Sequence, residues 1–317
     1  MALLINGYSA ILPSLHERYF RDTNQYSSVT SSYWRTIGRQ QVSWTDAGLD
    51  LEGFGFGDFK KDHLLNQLRC LPQRFLVRQL LDTYQPEPRL RALGQAIAKK
   101  SGRLFDYDSA KQVIALDLIL KKIKNFPPAA NGTAPAIAVI GDGYGSMTCL
   151  LKQAFPDCTI VCVNLGRTLI FDAYYCQKVL PNVGAVLLTP NADARPYSLP
   201  GGIVFLEAEN YALLEKMPIA LFINIASMQE MTNAVIQKYF TLMRSSSAQE
   251  KYFYCCNRDL KTLPDGEVVR FEEYPWNATD VILADELCPW GQRYPAALPP
   301  FWRPFDGPVR HRLAKFP

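Results

Sequence analysis

Four side chains stand where proton removal and recognition of a polar substrate can be expected: Glu230 in SMQE, Asn257 and Arg258 closing KYFYCCNR, and His63 in GFGFGDFKKDH. A carboxylate at the mouth of a strand can take a proton from an alcohol or orient it. The planar donor fork of an arginine beside an amide suits sugar hydroxyls or a carboxylate. His63 is a second candidate base, because imidazole titrates near neutrality; it ranks below Glu230. Each residue also has a plainer reading. Ser227 and Glu230 have the spacing of a capping box, in which two side chains close the first turn of a helix. Asn257 and Arg258 fit a solvated strand end, and His63 a polar residue opening a helix. Asp285 and Glu286 are further acids of the same ambiguity, and Tyr274 and Trp276 suit either stacking on a pyranose face or a packed turn.

The segment IAVIGDGYGSM, residues 137–147, supplies what these groups would act beside. Gly141, Gly143 and Gly145 follow an apolar strand and precede a helix, where backbone N–H groups approach a ligand closely and side chains would obstruct it. A dinucleotide fingerprint requires G-x-G-x-x-G, and its third glycine is replaced here by Ser146. The G-x-G-x-G spacing favours S-adenosylmethionine over NAD. Some twenty residues on, TIVCVNL ends at Asn164, where ribose-binding folds usually carry an acid. Asparagine accepts only through its carbonyl oxygen. The expected cofactor contacts are Gly141, Asp142, Gly143, Tyr144 and Gly145, Asn164 and Leu165 after the second strand, and Ala226 after the fourth.

The elements that must position these residues are visible as a change of rhythm. Up to about residue 130, apolar residues return at three- and four-residue intervals, as in HLLNQLRCLPQRFLVRQLLDTY and SAKQVIALDLILKKIKNF. This predicts a mostly helical cap or lid, with Gly53, Gly55 and Gly57 as candidate hinges. FPPAANGTAPA marks a boundary. From about residue 131 to 317, strand-like runs alternate with helix-like ones: IAVI and SMTCLLKQAF, TIVCVNL and RTLIFDAYYCQKVL, GAVLLT and GIVFL, ALFINI and QEMTNAVIQKYFTLMRS, KYFYCCN, DVILAD. That alternation predicts an α/β domain with a Rossmann-like, mainly parallel sheet and helices on both faces.

Composition narrows the partners. Thirty-four Lys and Arg against 30 Asp and Glu leave a charge of +4, with no dense basic block, so nucleic acid is not implied. No apolar run is long enough for a membrane span, which leaves peripheral attachment as the only membrane role expected. MALLINGYSAILP lacks a basic leader and is expected to be mature protein. The 8 cysteines lie mostly in apolar runs without a CxxC, and the 3 histidines are far apart. No metal site or disulfide framework is expected, and a reducing cytoplasm fits. There is no G-x-S-x-G elbow and no Ser-His-Asp triad. Oligomeric state is left open.

IGDGYGSM, FPDCTIVCVNLGRTLIFDAYYCQKVLP, LFINIASMQEMTNAVIQKYF, YFYCCNR and EEYPW together resemble, in order and spacing over roughly residues 135–290, bacterial sugar O-methyltransferases associated with surface and secreted polysaccharides. The resemblance implies a class I methyltransferase fold, S-adenosylmethionine as cofactor with S-adenosylhomocysteine as product, and a sugar, nucleotide-sugar or glycan hydroxyl as acceptor. It places the acceptor beside Glu230, Asn257 and Arg258. The family typically ends its second strand in Asp-Leu, from which Asn164-Leu165 departs. The alternatives are a non-catalytic Rossmann-like module and, on the same sheet, an NAD-dependent oxidoreductase.

Overall fold

A computed structural model of the chain describes residues 5–21, 29–37, 41–45, 48–52, 71–127, 135–189, 201–296 and 299–317. In chain order, β1 (Ile5–Asn6) and α1 (Tyr8–His16) lead through a π-helical turn to α2 (Ser32–Ile37) and a hairpin of β2 (Gln41–Thr45) and β3 (Gly48–Glu52). Three helices follow: α3 (Leu71–Tyr84), α4 (Pro88–Ser101) and α5 (Tyr107–Lys122). The sheet region then alternates β4 (Ala136–Ile140), α6 (Ser146–Ala154), β5 (Thr159–Asn164), α7 (Gly166–Val179), β6 (Ala185–Leu188), β7 (Ile203–Glu207), β8 (Ile219–Ile225), α8 (Asn233–Ser245) and β9 (Lys251–Arg258). The chain continues with the small hairpin β10 (Leu260–Thr262) and β11 (Val268–Arg270), then β12 (Val281–Leu287), the pair β13 (Arg293–Pro295) and β14 (Trp302–Pro304), and β15 (Val309–Phe316).

Nine strands form one sheet in the order β1-β6-β7-β5-β4-β8-β9-β15-β12. The six from β6 to β9 are parallel, β15 runs antiparallel against β9, and β12 and β1 close the two edges. The fold is therefore a Rossmann-like α/β sheet with helices on both faces. Every residue of β4, β5, β6 and β7 is buried. That is why these strands read as unbroken apolar runs: a strand covered on both faces has no polar side. From β4 the chain moves one way to β5 and the other way to β8 and β9. In such sheets the crevice at the carboxyl ends beside this reversal is where ligands bind.

Among the described residues of the first 130, helices predominate, but strands contribute as well. QVSWT and GLDLE alternate apolar and polar residues, the rhythm of the observed hairpin rather than of a helix. Ile5 and Asn6 pair with Leu187 and Val186 at the sheet edge. Ile11, Leu15, Val113 and Leu116 share one continuous apolar core with Ile137, Ile160 and Leu221 of the sheet, so the core runs across the stretch read as a boundary. No helix among the described residues is long and apolar enough to cross a membrane.

Candidate functional site

A cavity of about 360 Å³ opens at the carboxyl ends of β4, β5, β8 and β9, of the size expected of a small-molecule site. Its floor is the turn from Gly141 to Ser146. One side is formed by Asn164, Leu165 and Thr168, the other by Ala226, Gln229, Glu230, Arg258 and Lys261. Tyr33 and Trp34 of α2, together with Asp108, Lys111 and Gln112 of α5, complete the wall.

All three glycines of the turn have positive φ, at 75°, 84° and 63°. A Cβ on Gly141 would lie 2.2 Å from Ser227 Oγ, and one on Gly145 would lie 2.8 Å from both the Asp172 carbonyl oxygen and Cys176 Sγ. At Gly141 and Gly145 the turn is closed from beneath, and only glycine satisfies both backbone and surroundings there; Gly143 faces open space. Asp142 points its carboxylate along the turn, accepting from the backbone N–H groups of Met147 at 3.0 Å and Thr148 at 2.7 Å. The N-terminus of α6, where a helix presents unpaired N–H groups and partial positive charge, is thus occupied by the protein's own carboxyl, which burial pushes above its ordinary value against the pull of those N–H groups. Asp142 therefore serves this helix end through its side chain and the cavity through its position in the turn.

Asn164 is buried and both ends of its amide are engaged. Its carbonyl oxygen accepts from Leu165 N at 2.9 Å, and its Nδ2 donates to Asp172 Oδ2 at 2.8 Å. The other oxygen of Asp172 accepts from Gly145 N at 2.8 Å. A single fully buried carboxyl on α7 thus ties the glycine turn to the end of β5. Burial, then the nearby charge of Asp142, pushes the Asp172 carboxyl well above the usual carboxylate range. A second acid at position 164 would lie against Asp172, and the amide avoids that repulsion.

Across the cavity, Glu230 is 7% exposed. Burial raises its carboxyl to about 7, against the opposing pull of Lys261, Tyr33 and Arg258. Lys261 Nζ lies 3.7 Å from Glu230 Oε1. The capping box predicted for Ser227 and Glu230 is not formed. Ser227 Oγ donates to Ile140 O at 2.9 Å, and α8 begins later, capped by Thr232. Ala226, which lines the cavity, holds a left-handed backbone with φ 62°, sparsely populated by non-glycine residues and here pinned by a bond from its N–H to Cys256 O at 2.7 Å.

Asn257 and Arg258, predicted to act together, face different ways, as adjacent residues of a strand must. Arg258 reaches the main cavity, its Nη1 donating to Asp306 at 2.9 Å. Asn257 is fully buried: it donates to Asn224 Oδ1 at 2.8 Å and accepts from Gln229 N at 3.1 Å. It braces the β8 loop and lines a small adjoining cavity rather than the main one. Tyr274 is likewise buried, and Trp276 packs 4.8 Å from Phe240 while donating to Phe271 O, so both belong to the core. Asp285 pairs with Arg310 and Arg312 on the outer strands. His63 and the glycines at 53, 55 and 57 lie outside the described residues.

Several cavity residues were not singled out from the sequence. Lys261 sits on β10 directly after the strand end, with its ammonium 4.1 Å from the centre of the Tyr33 ring. Arg103 stacks 4.0 Å over Tyr144, and Lys111 pairs with Asp108 at 2.7 Å. Lys261 had a local signal, since it lies three residues beyond Arg258, and Asp108 and Lys111 stand three apart on one helix; Arg103 and Tyr144 are brought together only by tertiary packing. Among the described residues, no group of three or more His, Cys, Asp or Glu side chains is placed to hold a metal.

The sequence matches no protein-family model and no curated protein. Solved structures similar to the chain include magnesium protoporphyrin IX methyltransferase (ChlM) from Synechocystis PCC 6803 with bound SAH, at 11% identity over 67% of this chain and 83% of that one, TM-score 0.40. Others are the pyocyanin biosynthetic protein PhzM, at 11% identity over 90% and 82% with TM-score 0.38, and human N-acetylserotonin methyltransferase in complex with SAM, at 11% over 89% and 80% with TM-score 0.34.

Proposed function

We propose that the chain is an S-adenosylmethionine-dependent O-methyltransferase acting on a hydroxyl of a sugar, nucleotide sugar or glycan. The observation that carries the cofactor choice is Asp142 on the N-terminus of α6. A dinucleotide enzyme seats a pyrophosphate on that helix end; here a carboxyl already holds the same N–H groups. A sulfonium cofactor has no phosphate to place there. Its positive charge suits a turn flanked by Asp142.

The turn from Gly141 to Gly145 fits such a cofactor by close backbone approach, with Asn164 and Leu165 beside it and Ala226 opposite. S-adenosylmethionine supplies an activated methyl group with a good leaving group, so the protein's task is mainly to position the acceptor in line. Glu230 lies on the side of the cavity away from Asn164 and is the group that takes the proton from the acceptor hydroxyl. A carboxylate poised near neutral pH suits that role. Lys261 holds it in place. The sugar acceptor is supported by the resemblance of the 135–290 segments and by the aromatic residues Tyr33, Trp34 and Phe305 among those lining the cavity. The test is transfer of an isotope-labelled methyl group to a panel of sugars, nucleotide sugars and oligosaccharides, read by mass spectrometry. Labelling of a sugar hydroxyl that is lost in Glu230→Gln supports the assignment; labelling only of nitrogen or carbon acceptors refutes it.

A further inference from the structure

We propose, resting on the methyl-transfer reading above, that the acceptor carries an anionic group, a carboxylate or phosphate, seated between Arg258 and Lys261 at the end of the cavity beyond Glu230. Both cations are largely withdrawn from solvent, with side chains 17% and 12% exposed. Both lie against aromatic rings: the Arg258 guanidinium carbon is 4.7 Å from the centre of Phe305, and Lys261 is over Tyr33. Their own counterions are weak. Asp306, the partner of Arg258, is 93% exposed, so water screens that pair. Glu230, the partner of Lys261, is only partly ionised near neutral pH. The buried Nε of Arg258 has no acceptor among the described residues.

The opposite wall carries two further cations, of which Lys111 has the closest partner. There Lys111 has Asp108 at 2.7 Å, and Arg103 has Asp106 at 3.7 Å as well as the Tyr144 face. Arg258 and Lys261 each have a carboxylate as well, but Asp306 is exposed and Glu230 stands 3.7 Å off, the same separation as Arg103 from Asp106. Desolvated charges without full compensation are unfavourable unless a ligand completes them. A sulfonium cofactor adds a further positive charge, and a neutral acceptor would relieve none of it. An anion would, and it would bind through charge-assisted hydrogen bonds, the stronger kind.

The experiment is calorimetric titration, at low salt, of protein loaded with S-adenosylhomocysteine. The probes are glucuronate, glucose 6-phosphate and, as neutral reference, methyl glucoside, each against wild type, Lys261→Gln and Arg258→Gln. Saturable binding of at least one acidic probe is expected, weakened by salt and reduced about tenfold or more in each variant. The preferred probe identifies carboxylate or phosphate. Affinity for S-adenosylhomocysteine should be the same in all three proteins, which also serves as the folding control. If Arg258→Gln fails that control, Lys261→Gln carries the test. Absence of saturable binding of either acid, equal binding of the neutral glucoside, or acid binding that survives Lys261→Gln would overturn the proposal. Failure to bind S-adenosylhomocysteine would instead overturn the methyl-transfer reading beneath it.

Discussion

Glu230→Gln changes one buried carboxyl, and the structure specifies two separate readouts. Burial lifts this carboxyl from its ordinary 4.5 to about 7. The folded chain therefore holds a proton that the unfolded chain has released between pH 4.5 and 7, and stability falls as pH rises through that window. The difference corresponds to about 3 kcal/mol: absent below pH 4.5, complete above pH 7. Glutamine keeps the shape and cannot ionise. Between pH 5 and 8, wild type should lose up to about 3 kcal/mol more stability than Glu230→Gln, as read from urea unfolding at the two pH values. Methyl transfer moves the opposite way, because a general base must be ionised: wild-type turnover should rise through pH 7 and level off above it. Turnover of Glu230→Gln should be lower by about 100-fold or more, with cofactor affinity retained and the inflection near pH 7 gone. Parallel stability profiles for the two proteins would refute the buried, raised carboxyl. Unchanged turnover would leave Glu230 without a role as base.

Asp172→Ala removes the side-chain bridge between the glycine turn and the end of β5, leaving Gly145 N–H and the Asn164 amide without their acceptor. It should cost about 1–3 kcal/mol for each orphaned group and weaken S-adenosylhomocysteine binding; urea unfolding and calorimetry check both, and unchanged affinity would refute the bridge as a positioning device. Gly141→Ala places a Cβ against Ser227 in a left-handed backbone. It should abolish or strongly weaken cofactor binding, and Ser227→Gly in the same chain should restore only part of it; calorimetry decides. Trp276→Ala should destabilise the fold by about 3 kcal/mol or more while leaving acceptor KM unchanged. A selective rise in KM would return Trp276 to a sugar-stacking role.

The sheet was legible in the sequence because burial on both faces writes an unmistakable signal: AIAVI, TIVCVN and IVFLE have no polar side. The glycine turn was legible because backbone geometry restricts residue type. The side chains around it were legible only where strand ends project them. Arg258 and Glu230 reach the cavity, but Asn257 does not, and the two-residue period of a strand already implied that neighbours on β9 diverge. Ser227 and Glu230 match a capping pattern whose hydrogen bonds are not made, because Ser227 closes on Ile140 instead. Tyr33, Arg103 and Lys111 come from segments far along the chain. No local pattern marks residues whose role is created by helices folding over a sheet edge.

The central claim is a sulfonium-type cofactor on the Gly141–Gly145 turn. Calorimetric titration of the protein with S-adenosylmethionine, S-adenosylhomocysteine and NADH tests it most directly. Saturable one-site binding of the first two, lost in Gly141→Ala, with no heat from NADH, is the predicted result. Binding of NADH alone, or of none of the three, would contradict it.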